Sequence, residues 1–254
     1  MEQQLNLNTY SFRGTKTSYR VGTADEDVIR HSFDRDIFFK EIPSFVPSKR
    51  PVVLDIGAHI GTFSILSAIK YPDAAVYAFE AASDTFRVLE RNKYTNGLKR
   101  LNIFHQAVAG VSGPVKLYHS EKTGNWGHSI TKAISGSFEE VNATTLEDII
   151  TDNKIGFIDL VKFNCEGAEF DIIHSASDDC IKRIGLAVIL YHSDLDPQGG
   201  NIQRMMELFR NLDFRIDHIR KSEKRGWLIV WNRRRYSRWH FFYQGIRRRV
   251  KQLI

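Results

Sequence analysis

Short apolar runs alternate with amphipathic stretches through the middle of the chain. Runs at 52–56, 75–79, 101–105, 158–163 and 185–191 have the length and composition of buried strands. Between and after them, 61–70, 84–96, 145–152, 168–176 and 200–211 carry apolar residues at helical spacing. Strand and helix in alternation predict an α/β domain built on a parallel sheet. Residues 213–219 and 227–232 flank the polar turn Lys221 to Gly226 and predict a terminal antiparallel hairpin. Ahead of the sheet, 7–24 suit a short hairpin. Val28, Ile29, Phe33, Ile37, Phe38 and Ile42 then suggest one or two helices covering the sheet's start or the mouth of a site. Residues 106–143 break the alternation, with Gly110, Gly113 and Pro114 marking a hairpin.

The first strand carries the most informative chemistry. Val52-Val-Leu-Asp-Ile-Gly-Ala-His-Ile-Gly61 reads as strand, glycine turn and helix start. Gly57 and Gly61 permit positive φ and a ligand's close approach to backbone. Neither dinucleotide nor Walker spacing is present. Asp55 before the turn suits a ligand bearing ammonium and hydroxyl groups, such as S-adenosylmethionine. Glu80 ends the second strand, 23 residues past Gly57, where an acid in Rossmann-like sheets accepts bonds from ribose hydroxyls. Each acid also has a plainer role in capping a helix or a turn.

These segments resemble a known family. Leu54–Gly61, Tyr77-Ala78-Phe79-Glu80, Thr144–Ile149 and Val161–Glu169 look like the motifs of FkbM-type S-adenosylmethionine-dependent methyltransferases, in the family's order, across about residues 20–195. The resemblance implies a class I methyltransferase (Rossmann-like) sheet, mostly parallel with a C-terminal antiparallel hairpin. It implies S-adenosylmethionine as cofactor and O-methylation of a hydroxyl on a sugar, glycan or small natural product. The expected cofactor contacts are Asp55, Gly57, Ala58, His59, Gly61, Phe79, Glu80, Ala81, Gln106, Ala107 and Asn164.

A hydroxyl acceptor needs its proton removed, and the candidates stand at the ends of strands four and five. His192 is the first choice for general base, because an imidazole titrates near neutrality. Glu166 and Asn164 are candidates to hold the acceptor or the cofactor's amino-acid end. His128 is the runner-up base, on a loop 124–129 that is either a lid with Trp126 or a surface hairpin tip. Asn164 stands where the family usually has Asp, which weakens any metal-dependent mechanism there, and no metal site is assigned. Leu190 stands where the family often has an acid near this histidine, so His192 must be oriented otherwise. Lys162, on a buried strand, is expected to pair with Asp55 or Glu166, since an unpaired charge there is costly.

Composition limits the remaining choices. Cys165 and Cys180 are too few for a disulfide framework or zinc cluster. No apolar run approaches the ~18 residues of a membrane span, and the N-terminus lacks a signal-peptide pattern. The expected location is cytoplasmic, with possible peripheral membrane contact. The net charge of +6 is concentrated at 233–254, where eight Lys and Arg and no acid leave −2 for residues 1–232. Trp239, Phe242, Ile246, Val250 and Leu253 sit at helical spacing among those arginines. That pattern fits an anionic membrane surface, docking on the body, or nucleic acid. The expected organisation is a lead-in segment at 1–50, a methyltransferase domain at 51–232 and a basic amphipathic tail at 233–254. Alternative readings are an RNA methyltransferase using the tail, though nucleic acid is the less favoured partner, or a decayed membrane-associated cofactor-binding module.

Overall fold

The computed structural model describes residues 6–42, 45–119, 128–131, 137–196 and 201–236. Residues 124–127 of the loop with Trp126, and the tail from 237 onward, lie outside the described residues. Strands β1 (Leu7–Phe12) and β2 (Thr15–Arg20) form the expected N-terminal hairpin. The following segment is less regular than a long helix. A single α-turn, α1 (Asp25–Ile29), runs into a π-helical turn, Arg30–Asp34, and a 3-10 turn, Phe39–Glu41.

The core strands are β3 (Val52–Ile56), β4 (Ala75–Glu80), β5 (Leu101–His105), β9 (Ile158–Phe163) and β10 (Ile184–His192). The hairpin β11 (Phe214–Arg220) and β12 (Arg225–Asn232) completes them. The sheet order is β11-β12-β10-β9-β3-β4-β5. Neighbours from β10 to β5 are parallel, whereas β12 runs antiparallel to both β10 and β11. This is the class I methyltransferase sheet. The strand order reverses beside β3, so the glycine turn opens at the switch point where α/β sheets bind ligands.

Helices α2 (Thr62–Lys70) and α3 (Ser83–Thr95) follow β3 and β4. Helices α4 (Leu146–Asp152), α5 (Ala168–Ser175) and α7 (Ile202–Asn211) match the expected stretches within two residues at each end. A short α6 (Asp178–Lys182), started by the Ser177 side chain, was not foreseen. The break at 106–143 contains β6 (Ala107–Val108), β7 (Gly113–Tyr118) and β8 (Phe138–Thr144), a separate three-stranded sheet of order β6-β8-β7.

Period-two alternation along the strands divides the core between the sheet's faces. Leu54, Ile56, Val161, Phe163, Ile189 and Tyr191 pack with α4, α5 and α7. Val53, Leu160, Val188 and Ile229 pack with α2, α3 and the N-terminal segment. That segment is pinned as well as packed. Buried Asn92 accepts from the Ser18 backbone N–H at 2.6 Å and donates to the Ser18 and Ile60 carbonyls at 3.0 and 2.9 Å. At the other end, Tyr236 is buried edge-on against Trp231, with ring centroids 5.0 Å apart. The boundary drawn between 232 and 233 therefore falls inside a packed turn, and Arg233–Tyr236 belong to the body. None of the described helices is long and apolar enough to cross a membrane.

Candidate active site

A cleft of about 760 Å³ opens at the carboxyl ends of β3, β4, β9 and β10. The glycine turn forms its floor. Gly57 has φ 73° and faces the start of the 164–167 loop, where an added Cβ would collide with the carbonyl oxygen of Asn164. Glycine is needed there for the contact between two strand ends as much as for any ligand. The backbone N–H groups of Gly57 and Ala58 donate to the Phe79 carbonyl at 3.1 and 2.9 Å, locking the turn to β4.

Most expected cofactor contacts converge on this cleft. Gly57, Ala58, His59, Phe79, Glu80, Ala81, Gln106, Ala107 and Asn164 all line it. Glu80 accepts from the His59 N–H at 2.8 Å and the Ala82 N–H at 2.9 Å, and burial raises its pKa. Among the described residues, both ring nitrogens of His59 and the side-chain oxygen of Asn164 are buried without a hydrogen-bond partner. Burial pushes the His59 pKa down to about 4, against the pull of Asp25.

Asp55 and Gly61 depart from expectation. Asp55 is fully buried behind the turn and is not on the cleft wall. Its carboxylate accepts from Ser64 Oγ at 2.6 Å and Lys162 Nζ at 3.0 Å. Lys162 also donates to the carbonyls of Gly57 at 2.5 Å and Ile56 at 3.4 Å. Of the two partners expected for Lys162, Asp55 is the one found. The pair braces the turn from behind, so any effect of Asp55 on a ligand is indirect. Gly61, at φ 87°, starts α2 and packs on Leu89 away from the cleft.

The catalytic candidates meet at the other end. His192 ends β10 and is 4% exposed. Its Nδ1–H donates to Glu169 Oε1 at 3.1 Å, and its Nε2 lies 3.8 Å from Glu166 Oε2. Glu169 is fully buried and also accepts from the N–H groups of Cys165 at 3.0 Å and Gly167 at 2.8 Å. It therefore shapes the 164–167 loop and orients His192, the role for which Leu190 is unsuited. Burial opposes a charged His192, but the hydrogen bond and charge of Glu169, with the charge of Glu166, outweigh it and raise the pKa. Burial likewise raises the pKa of Glu166, which sits at φ 52°. A non-glycine residue in that region is uncommon.

His128 lines the cleft near His119, its ring 5.0 Å from that of His119 and perpendicular to it, and burial pushes its pKa down to about 4. Sequence reasoning noted Glu169 but gave it no place in the site. Its spacing, three residues after Glu166 and just past Gly167, was the available signal. Arg225, Trp227 and Phe38 also line the cleft. Nothing local marks Arg225 and Trp227, which arrive through the pairing of β12 with β10, whereas Phe38 comes from the segment expected over the sheet's start or the mouth of a site.

The sequence profile described as the Methyltransferase FkbM domain matches residues 55–216. Methyltransferase 1 of Beauveria bassiana (strain ARSEF 2860) is 26% identical over 147 residues, which are 50% of this chain and 59% of that protein. The 31-O-demethyl-FK506 methyltransferase FkbM of Streptomyces tacrolimicus is 23% identical over 198 residues, 65% of this chain and 73% of that protein. The chain thus spans about six tenths of the Beauveria protein's length. Among solved structures, methyltransferase FkbM of Methylobacillus flagellatus KT aligns with a TM-score of 0.49 at 14% identity, over 72% of this chain and 44% of that one. The residues present fit the cofactor of such enzymes: a bare glycine turn, a carboxylate at the end of the second strand, and buried polar atoms without partners. The chain belongs to the FkbM methyltransferase family, whose methyl donor is S-adenosylmethionine.

Proposed function

We propose that this chain methylates a hydroxyl oxygen on a sugar, glycan or small natural product. The observation that carries the reading is His192, held between Glu169 and Glu166 at the cleft wall. Glu80, Gly57, Ala58, His59 and Asn164 would hold the cofactor, with Phe79, Ala81, Gln106 and Ala107 toward its adenine end. S-adenosylmethionine, when bound, supplies an electrophilic methyl group. The Streptomyces relative, a 31-O-demethyl-FK506 methyltransferase by name, supports oxygen as the acceptor atom.

His192 acts as general base in this reading. Glu169 fixes the proton on Nδ1, which leaves the Nε2 lone pair to take the hydroxyl proton. The imidazolium so formed lies between two carboxylates that stabilise it. Glu166 flanks Nε2 at 3.8 Å and, as a carboxylate, favours the imidazolium, while the single proton of the acceptor hydroxyl points to Nε2. The nearly complete burial of His192 keeps bulk water from competing for the same nitrogen.

The test is calorimetric titration with S-adenosylhomocysteine, followed by methyl transfer from labelled S-adenosylmethionine to an acceptor panel. Wild type should bind the product near one-to-one. His192→Asn should keep that affinity within about threefold and lose about 10²–10⁴-fold in turnover, the usual worth of a general base. Equal turnover in the variant would remove His192 from the chemistry, and absence of product binding by folded protein would overturn the reading as a whole.

A further inference from the structure

The wall around His192 on the N-terminal side has a marked chemical character. Residues opposite each other in an antiparallel pair share one face of a sheet. His192 lies opposite Arg225, and Leu190 opposite Trp227. These four therefore belong to one face at the carboxyl end of β10. Val28, Ile37 and Phe38, from the segment docked over that face, line the same cleft. The Phe38 ring meets Trp227 edge-on at 5.3 Å and Phe63 at 5.2 Å.

The polar groups on this wall are largely engaged within the protein. The Ser32 and Thr62 hydroxyls bond each other at 2.8 Å. Lys162 spends its donors on Asp55 and the carbonyls of Ile56 and Gly57. Arg225 grips the Asp194 carboxylate through Nε at 3.0 Å and Nη2 at 2.7 Å. What remains for a ligand is apolar surface from Val28, Ile37, Phe38, Leu190 and Trp227. His192, Glu166, His31 and the Nη1 group of Arg225 are the polar groups at its edge.

We propose that the acceptor is an alcohol on a predominantly apolar skeleton, of terpenoid, polyketide or acyl-chain type, rather than a free sugar. The inference rests on the methyl-transfer reading above and narrows its acceptor. A polyhydroxylated ring buried against this wall would lose water from several hydroxyls and find partners for one or two. Unsatisfied buried hydroxyls are costly. An apolar skeleton instead gains by the area it buries, while its single hydroxyl donates to His192. Ile37, Phe38 and Trp227 are then specificity-determining residues, with no part in proton transfer.

The experiment uses the full chain saturated with S-adenosylhomocysteine, whose own affinity is measured first. Borneol, 2-naphthol and 1-dodecanol below its micelle limit are titrated against glucose and cellobiose, with binding followed by calorimetry. At least one of the three alcohols should bind at least tenfold more tightly than either sugar. Ile37→Ser, at a half-exposed position that the fold tolerates better than one in the core, should weaken that alcohol at least fivefold. Phe38→Leu serves as the second variant and should weaken it at least threefold. Both variants should keep the affinity for S-adenosylhomocysteine. Tighter binding of a sugar, or no binding of any of the alcohols, with S-adenosylhomocysteine bound normally, overturns the acceptor class and leaves the methyltransferase reading standing. An unchanged alcohol affinity in both variants removes the wall from recognition. Failure of wild type to bind S-adenosylhomocysteine is the separate failure of the underlying reading.

Discussion

His192 can serve as a base only while its Nε2 is unprotonated, and its neighbours set when that is so. Burial alone would lower its pKa, but Glu169 and Glu166 raise it above the ordinary imidazole value. Turnover should therefore rise with pH through a midpoint above ~6.5, the unperturbed value. Glu166→Gln removes one of the two anions and should move that midpoint toward acid. A pH profile of single-turnover methyl transfer in both proteins measures the shift, and coincident profiles would deny the coupling. Glu169 is a poorer position for the same test. Its second oxygen is bonded to the Gly167 N–H, and its first also accepts from the Cys165 N–H. Replacing it would disturb the loop along with the histidine. This division of labour was half legible. Glu166 and the histidine stood out in the sequence, but that Glu169 holds the ring depends on how α5 starts relative to the end of β10.

At the scale of elements, the glycine turn is held from three sides. β4 receives its N–H groups, α2 supplies Ser64 to Asp55, and β9 supplies Lys162. The strand and helix spans were legible because alternation and helical spacing are local. So was the placement of Glu80, since a strand's carboxyl end is a local property. The inward turn of Asp55 was not. Strand residues 52–56 are nearly all buried, so the sequence does not mark which face receives the carboxylate. Register with β9 decides it, by setting Asp55 opposite Lys162. The consequence differs from that of a simple ligand contact. Asp55→Ala leaves a buried lysine without its carboxylate, and breaking such a pair costs about 3–5 kcal/mol. Chemical denaturation should show a loss of that size together with weaker binding of S-adenosylhomocysteine. A double variant, Asp55→Ala with Lys162→Met, should recover part of the stability. Loss of binding at unchanged stability would instead indicate direct ligand contact by Asp55.

At the scale of the whole molecule, the N-terminal segment and the sheet are joined at a buried polar junction, and that junction is sensitive to acid. Arg20 donates to both Asp25 oxygens, through Nε at 2.9 Å and Nη2 at 2.7 Å, and reaches Thr85 on α3 at 3.2 Å. His59 of the glycine turn brings its Nε2 to 3.5 Å from the same carboxylate. Burial acts against a charged Asp25, yet the Arg20 hydrogen bond and the charges of His59 and Arg20 hold its pKa below the ordinary value. Its contribution to stability is therefore complete above ~3.9 and is lost only as pH falls through the lowered value. His59 acts earlier. Its pKa is depressed to about 4, so between ~6.5 and that value the unfolded chain takes a proton that the folded one refuses. Stability must fall with pH across that window, by about 3 kcal/mol at most for a shift of this size. His128, also depressed to about 4, contributes in the same direction, so the comparison has to be between variants. His59→Asn keeps a residue that tolerates the positive φ of 55° found there and removes the titration. Urea unfolding at pH 7, 6, 5 and 4.5 should show the variant losing less stability than wild type between pH 6.5 and 4.5. Above pH 7, where both side chains are neutral, the stability difference between the two proteins should no longer change with pH. Parallel decline of the two proteins would place the acid-sensitive group elsewhere.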